Sequence, residues 1–198
     1  MNSYLECIKC GAKYDSNEII YTCKKCGALL DVKMDYENIR EKVDWNIFRN
    51  RAFYVWRYKE LLPVNDRFKV SLFEGGTQLY YCERLAEKLG IKKLYVKFEG
   101  GNPTGSFKDR GMTVGCSTDK ELNVSSVGCA STGNTSASLA AYAARAHLNC
   151  FVLLPSGKVA MGKLAQAIMY GAKVISIRGN FDQALYLIRK ICEESGVY

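Results

Sequence analysis

Apolar and polar positions alternate with two different periods along this chain, and the change of period divides it. The run Leu94-Tyr95-Val96-Lys97-Phe98 has a period of two and predicts a strand, which the Gly, Asn and Pro that follow interrupt. From residue 125 the pattern turns regular. Short apolar runs at 125–130, 150–154 and 173–177 predict strands, and helical spacing predicts helices at 134–147, 160–170 and 181–195. Leu139, Ala140, Tyr142, Ala143 and Ala146 mark the first of those helices. Strand and helix in succession imply an α/β fold, with a parallel sheet covered by helices. Upstream, Tyr36, Ile39, Val43 and Ile47 form the apolar stripe of one amphipathic helix within residues 34–70. Trp45, Phe53, Tyr54, Trp56 and Tyr58 crowd the same stretch and are expected to pack it onto the body of the protein.

Candidate chemistry gathers at the strand-to-helix junctions. The run Glu99-Gly100-Gly101-Asn102-Pro103-Thr104-Gly105-Ser106-Phe107-Lys108-Asp109-Arg110-Gly111 puts one lysine in a glycine-rich turn, with helix resuming after Ser106. A lysine ammonium becomes a nucleophile once desolvation or a nearby cation lowers its pKa, and the free amine then forms an imine with an aldehyde. Arg110 lies two residues away and Phe107 offers apolar cover. An ordinary surface lysine in a first helical turn is the rival reading. A phosphate loop fails on spacing: after Gly100 and Gly105 come Ser106-Phe107-Lys108, where that motif needs Lys followed by Ser or Thr. No Gly-x-Gly-x-x-Gly fingerprint occurs there either.

A second junction carries Gly128-Cys129-Ala130-Ser131-Thr132-Gly133-Asn134-Thr135-Ser136. Backbone N–H groups and hydroxyls at a helix N-terminus form an anion site. Capping explains one Ser or Asn, but not five small polar residues in a row.

Together the two segments resemble the fold-type II family of pyridoxal-phosphate (PLP) enzymes, and within it the threonine synthases. Leu72-Phe73-Glu74-Gly75-Gly76-Thr77-Gln78-Leu79 is similar to a further motif of that family, with Gln78 where Pro is usual. The resemblance implies that Lys108 is the catalytic residue, joined to PLP as an imine and later moving the α-proton. It implies that Asn134 binds the cofactor's phenolic oxygen, and that Ser131, Thr132, Gly133 and Thr135 hold the substrate carboxylate. The implied reaction converts O-phosphohomoserine and water to threonine and phosphate. Cysteate synthase, threonine dehydratase and cysteine synthase share the same lysine and carboxylate loop. The implied fold is a three-layer αβα parallel sheet, with a large domain that is incomplete here; the family takes most of that sheet from its C-terminal half. The chain is thus expected to be the N-terminal part of a longer enzyme, inactive alone and compatible with a homodimer at full length. The expected parts are a ribbon at 1–33, a linker at 34–70, the lysine-bearing start of the large domain at 71–124 and a small parallel α/β domain at 125–198.

Cysteine spacing adds a separate element. Cys7-Ile8-Lys9-Cys10-Gly11 and Cys23-Lys24-Lys25-Cys26-Gly27 are two knuckles with twelve residues between them. Each aims two thiolates at one tetrahedral ion, so Cys7, Cys10, Cys23 and Cys26 form a candidate structural Zn²⁺ site of zinc-ribbon type. The connecting stretch is too short to bury a core, and the metal would hold it together. Two disulfides or a redox pair are the alternatives; no leader-like run precedes Cys7, which favours a reducing, cytoplasmic setting. The other five cysteines follow no ligand spacing and read as small hydrophobes. Cys129 adjoins the anion loop, but the single histidine, His147, falls at a helix end, so a Cys–His pair is not favoured.

Composition changes little. With 48% apolar residues and mixed charge the chain reads as a soluble globular protein, and no apolar run reaches bilayer length. The net charge of +8 beside a ribbon raises nucleic-acid binding as a rival of another class, yet the basic residues are spread and clusters such as Lys24-Lys25 are short.

Overall fold

A computed structural model describes residues 3–157 and 161–198. Its N-terminal ribbon is a three-stranded antiparallel sheet in the order β2-β1-β3, from β1 (Ser3–Cys7), β2 (Lys13–Asp15) and β3 (Leu30–Met34). Cys7, Ala12 and Cys23 are its only buried apolar residues among those described, flanked by Tyr14, Ala28 and Leu30. A core that small cannot offset the entropy of ordering some thirty residues.

Two short helices follow where one was expected: α1 (Tyr36–Lys42) and α2 (Trp45–Arg49). Each starts on its own aspartate. Asp35 accepts from the Asn38 N–H at 3.1 Å and Asp44 from the Ile47 N–H at 2.9 Å, while Val43 between them is extended. A second N-cap inside an apolar stripe ends one helix and begins another. The stripe also stays wet: no residue of α1 is buried, and Phe48 alone is buried in α2. Of the aromatic group, Trp56 does the anchoring; it is 3% exposed, and its Nε1–H donates to Thr113 Oγ1 at 2.7 Å.

β4 (Leu79–Tyr81) and β5 (Tyr95–Lys97) form an antiparallel pair joined through α3 (Glu83–Lys88). After β5 comes the helix α4 (Lys108–Glu121). The regular half of the chain then runs as expected: β6 (Ser126–Ala130), α5 (Asn134–Ala146), β7 (Asn149–Pro155), α6 (Met161–Met169), β8 (Lys173–Ile177) and α7 (Phe181–Ser195). Ala160, the expected first residue of α6, lies outside the described residues. The three strands are parallel in the order β6-β7-β8.

Side-chain alternation along β7 explains the layers. Cys150, Val152 and Leu154 face a core shared with α5 and α6, while Leu153 faces the other way onto Ala184 and Ile188 of α7. Helix α5 is buried almost all round, which is why it is built from Ala and Ser. Tyr142, its one large fully buried side chain, donates its hydroxyl to the buried carboxylate of Glu74 at 2.8 Å. Burial and that carboxylate both push the Tyr142 phenol well above its usual range. No described helix is long and apolar enough to cross a membrane.

Successive crossovers from β6 to β8 share one face, and α7 returns the chain across the other. Tyr198 then pairs with the free edge of β6: its N–H donates to Ser126 O at 2.9 Å and its carbonyl accepts from the Gly128 N–H at 2.7 Å. Those two bonds to residues two apart are the parallel pattern. β6 thus has a forward neighbour on one side and a returning neighbour on the other, a topological switch point. In such sheets ligands bind beyond the carboxyl end of the strand at that point.

Candidate functional site

The carboxyl end of β6 runs directly into residues 131–135. Ser131 is tied to the sheet by its N–H to Leu153 O at 3.2 Å, and its Oγ accepts from the Gly133 N–H at 3.2 Å. Gly133 takes the N-cap position of α5 with no side chain capping the helix. Ser136 does not cap either; its hydroxyl points back to Gly133 O at 2.7 Å. The first intrahelical bond comes from Ala137, so the amides of Asn134, Thr135 and Ser136 have no acceptor among the described residues. Open donors at the positive end of a thirteen-residue helix suit a carboxylate. Asn134 is exposed, and Ser131, Thr132, Gly133 and Thr135 are half-buried.

The lysine turn is built in the opposite manner. Lys108 is the first residue of α4, half-buried, and its ammonium sits 4.9 Å from the centre of the Phe107 ring. Among the described residues that ammonium has no hydrogen-bond or carboxylate partner, although its backbone N–H donates to Ser106 Oγ at 3.3 Å. Everything around it is paired. Asp109, fully buried, accepts from the Thr104 N–H at 2.7 Å, from Thr104 Oγ1 at 2.6 Å and from Ser138 Oγ at 2.5 Å. Ser138 lies one turn after Asn134 on the same face of α5. One carboxylate thereby pins the residue next to Lys108 onto the helix that carries the open N-terminus.

A second network fixes the turn to the segment upstream. Arg110 grips Glu99 with two bonds of 2.8 Å, from Nε and from a terminal nitrogen, and that nitrogen also reaches Gly75 O at 2.8 Å. Thr77 Oγ1 donates to Glu99 at 2.9 Å, and Asn102 Oδ1 accepts from the Gly75 N–H at 3.0 Å. The Arg110 guanidinium beside Glu99 holds that carboxyl down at about 2. Arg110 is therefore committed to Glu99 and is not the cation expected to activate Lys108; residues two apart on a helix do not face each other. Gly76 is required by close approach, since a Cβ there would lie 2.0 Å from Phe53 O. Phe73, exposed and at φ 62, carries backbone strain of about 1–3 kcal/mol next to this junction.

The four knuckle cysteines converge. Their sulfurs all lie within 4.8 Å of one another, with Cys7–Cys26 at 3.5 Å and Cys10–Cys23 at 3.6 Å. A tetrahedral ion with bonds of about 2.3 Å separates its sulfurs by about 3.8 Å, so the cage fits zinc. The knuckles repeat one design. Gly11 and Gly27 have φ near +69 and +68, and their N–H groups return to Cys7 O and Cys23 O. The Tyr14 hydroxyl, 3.1 Å from Cys23 Sγ, holds that thiol down at about 6, toward the ligand form.

The remaining cysteines are less uniform than expected: Cys116 and Cys150 are buried, whereas Cys82, Cys129 and Cys192 are partly exposed. Burial pushes Cys129 up to about 12, away from the thiolate form that a nucleophile needs. His147, exposed and left-handed at φ 60, ends α5, the capping position expected of it.

The family model described as "Pyridoxal-phosphate dependent enzyme" matches residues 70–198, close to two thirds of the chain. The chain belongs to that family. Within it, the chain is 62% identical over 193 residues to a threonine synthase of Methanocaldococcus jannaschii, an alignment covering 97% of this chain and 47% of that protein. A threonine synthase of Methanosarcina acetivorans is 60% identical over 195 residues, covering 98% and 47%. The chain thus spans about half the length of these relatives. Among solved structures, threonine deaminase isoform 2 from Solanum lycopersicum matches with TM-score 0.55 and 25% identity over 61% of this chain and 33% of its own. The residues that sequence reasoning missed are those whose bonds fix the two turns: Asp109, Ser138, Thr77, Asn102 and the Glu99–Arg110 pair. Ser138 had a signal, being a hydroxyl inside the apolar stripe Ala137-Leu139-Ala140 that needs a buried partner.

Proposed function

We propose that this chain is the N-terminal part of a threonine synthase that converts O-phosphohomoserine and water to threonine and phosphate. The Asp109–Ser138 contact carries the site assignment, because it joins the turn of Lys108, whose ammonium has no partner among the described residues, to a helix whose N-terminal donors are open among them. Choice of reaction rests on the threonine synthases to which the chain is 60% and 62% identical.

In this reading Lys108 would hold the cofactor through its aldehyde carbon until the substrate's amine takes its place there and frees the lysine, and Asn134 would hold the phenolic oxygen. Bound PLP supplies an electron sink that lets a carbon–hydrogen bond beside the substrate nitrogen ionise. Ser131, Thr132 and Thr135 hold the substrate carboxylate with the open amides of α5, and Gly133 lets the backbone approach it. A carboxylate so fixed keeps the α-hydrogen in line with the Lys108 amine, which takes that proton and returns it. The Thr104–Asp109–Ser138 bonds keep the amine's turn from moving away. Cys7, Cys10, Cys23 and Cys26 hold a structural zinc ion that replaces the missing core of the ribbon.

The test uses the full-length chain with PLP. Threonine and phosphate should appear in equal amounts from O-phosphohomoserine, and Lys108→Ala should abolish both the turnover and the visible absorbance of the lysine-bound cofactor. Deamination of threonine, or sulfur incorporation without threonine formation, would replace the synthase reading with a sister reaction. Residues 1–198 alone are expected to be inactive with added PLP, since they span 47% of the archaeal relatives. One equivalent of zinc should co-purify with the protein, and a chelator should unfold the ribbon while β6-β7-β8 persists.

A further inference from the structure

Thr104 is 1% exposed and opens the turn that ends in Lys108. Its N–H and hydroxyl are taken by Asp109, which leaves its carbonyl as a buried acceptor in need of a donor. That donor comes from another element. Lys163, on the first turn of α6, reaches across and donates its Nζ to Thr104 O at 2.8 Å. The same ammonium lies 3.6 Å from the place a Cβ would occupy on Gly105, whose φ of +77 turns the chain toward α4. Lys163 is half-buried, and no carboxylate pairs with it among the described residues. A lysine on an exposed helix end normally extends into water; this one is folded inward onto a neutral carbonyl.

The contact adds a direct bond between α6 and the lysine turn, beside the packing of α4 and α6 on α5. α6 packs against α5 and touches β8, so it moves with the parallel unit, whereas Thr104 belongs to the lysine turn. Asp109 holds the turn from within α4 and from α5, and Lys163 holds it from α6. We propose that Lys163 is a positioning residue for Lys108, transmitting the placement of α6 to the turn from which the reactive amine projects. This inference rests on the reading of Lys108 as the cofactor lysine.

The test compares Lys163→Met, which keeps the stem and removes the donor, with Lys163→Arg, which keeps donor and charge, in the full-length chain. Three quantities are measured: hydrogen exchange at the Gly105 amide, the rate at which the Lys108-dependent absorbance band forms on adding PLP to apoprotein, and kcat/KM. The Gly105 amide is bonded to Asn102 O at 2.8 Å, so its exchange reports opening of the turn. Loss of a charge-assisted bond predicts that Lys163→Met speeds exchange and slows band formation and kcat/KM, each by about tenfold or more, with Tm lowered by only a few degrees. Lys163→Arg should stay within about threefold of wild type. Values for Lys163→Met within twofold of wild type overturn the proposal, as does Lys163→Arg failing as badly as Lys163→Met. A wild-type protein that forms no band overturns the cofactor reading instead, and the exchange comparison still decides whether Lys163 holds the turn.

Discussion

The two helix N-termini that the Asp109–Ser138 bond ties together are built on opposite principles. At α4 nearly every polar group is satisfied: Thr104 gives its N–H and hydroxyl to Asp109 and its carbonyl to Lys163, and Glu99 is gripped by Arg110, Thr77 and Asn102. At α5 the cap is a glycine, the first amides are open, and the hydroxyls of Thr132 and Thr135 have no partner among the described residues. Under the proposed function a covalent anchor at Lys108 needs a fixed position, which an over-determined turn supplies. A site for a transient anion at residues 131–135 needs donors held in reserve, which an under-satisfied turn supplies. The contrast gives each turn its own mutational signature: changes at the first should cost stability, and changes at the second should cost affinity.

Removing the hub of the satisfied turn is the harshest test of this. Asp109→Ala leaves Thr104 N–H, Thr104 Oγ1 and Ser138 Oγ without their buried acceptor, so it should destabilise the protein by about 3–4 kcal/mol. For a chain of this size that is a fall in Tm of roughly 6–16 °C. Asp109→Asn keeps the shape and one acceptor oxygen and should lose about half as much. Thermal unfolding followed by circular dichroism reads both. A loss under 1 kcal/mol for Asp109→Ala would show that the turn is held by packing alone.

That hub was not legible in the sequence, although most of its surroundings were. Period and spacing placed β6, α5, β7, α6, β8 and α7 to within a residue or so, because each buries one face and the face is written in Val, Leu, Ile and Ala. The knuckles were legible because two cysteines three residues apart and followed by a glycine, twice over, leave few other geometries. What stayed hidden was pairing between distant polar residues. Nothing in the order of residues says that Asp109 meets Ser138, or that Arg110 turns to Glu99 and away from Lys108. The linker misled for a related reason: its apolar stripe is continuous, but Asp44 caps a new helix and overrides it.

The open turn should respond in the other way. Thr132→Val and Thr135→Val each replace a hydroxyl that has no partner among the described residues with a methyl of similar size, so stability should change by less than about 0.5 kcal/mol. Each hydroxyl is assigned a bond to a carboxylate, and the loss of a bond to a charged group is about 1.5–3 kcal/mol. KM for the amino-acid substrate should therefore rise about tenfold to a hundredfold, with Tm within about 2 °C of wild type. Steady-state kinetics beside a melting curve separates the two. A large fall in Tm with KM unchanged would make these residues structural and erase the contrast.

The smallest effect concerns pH, and it tests whether the satisfied turn owes anything to charge. The Glu99 carboxyl, held down at about 2 by Arg110, titrates near 4.5 once unfolding frees it. A carboxylate with a depressed folded pKa stabilises the protein fully above its unfolded value, and the contribution fades as pH falls from about 4.5 toward 2. Between pH 7 and pH 5 it is constant. The pair is about one-third exposed, at 36% for Arg110 and 30% for Glu99, so solvent screening leaves about 1–2 kcal/mol of pH-dependent stability at most. Other carboxylates titrate over the same range, Glu60 and Asp66 among them, so raw acid unfolding is uninformative. The informative quantity is the difference in stability between wild type and Glu99→Gln, in which those other groups cancel. That difference should be flat from pH 7 to pH 5 and shrink by about 1 kcal/mol between pH 5 and pH 3. If it stays flat through pH 3, the bidentate contact holds the turn through geometry alone, and the ion pair adds nothing that a neutral amide cannot replace.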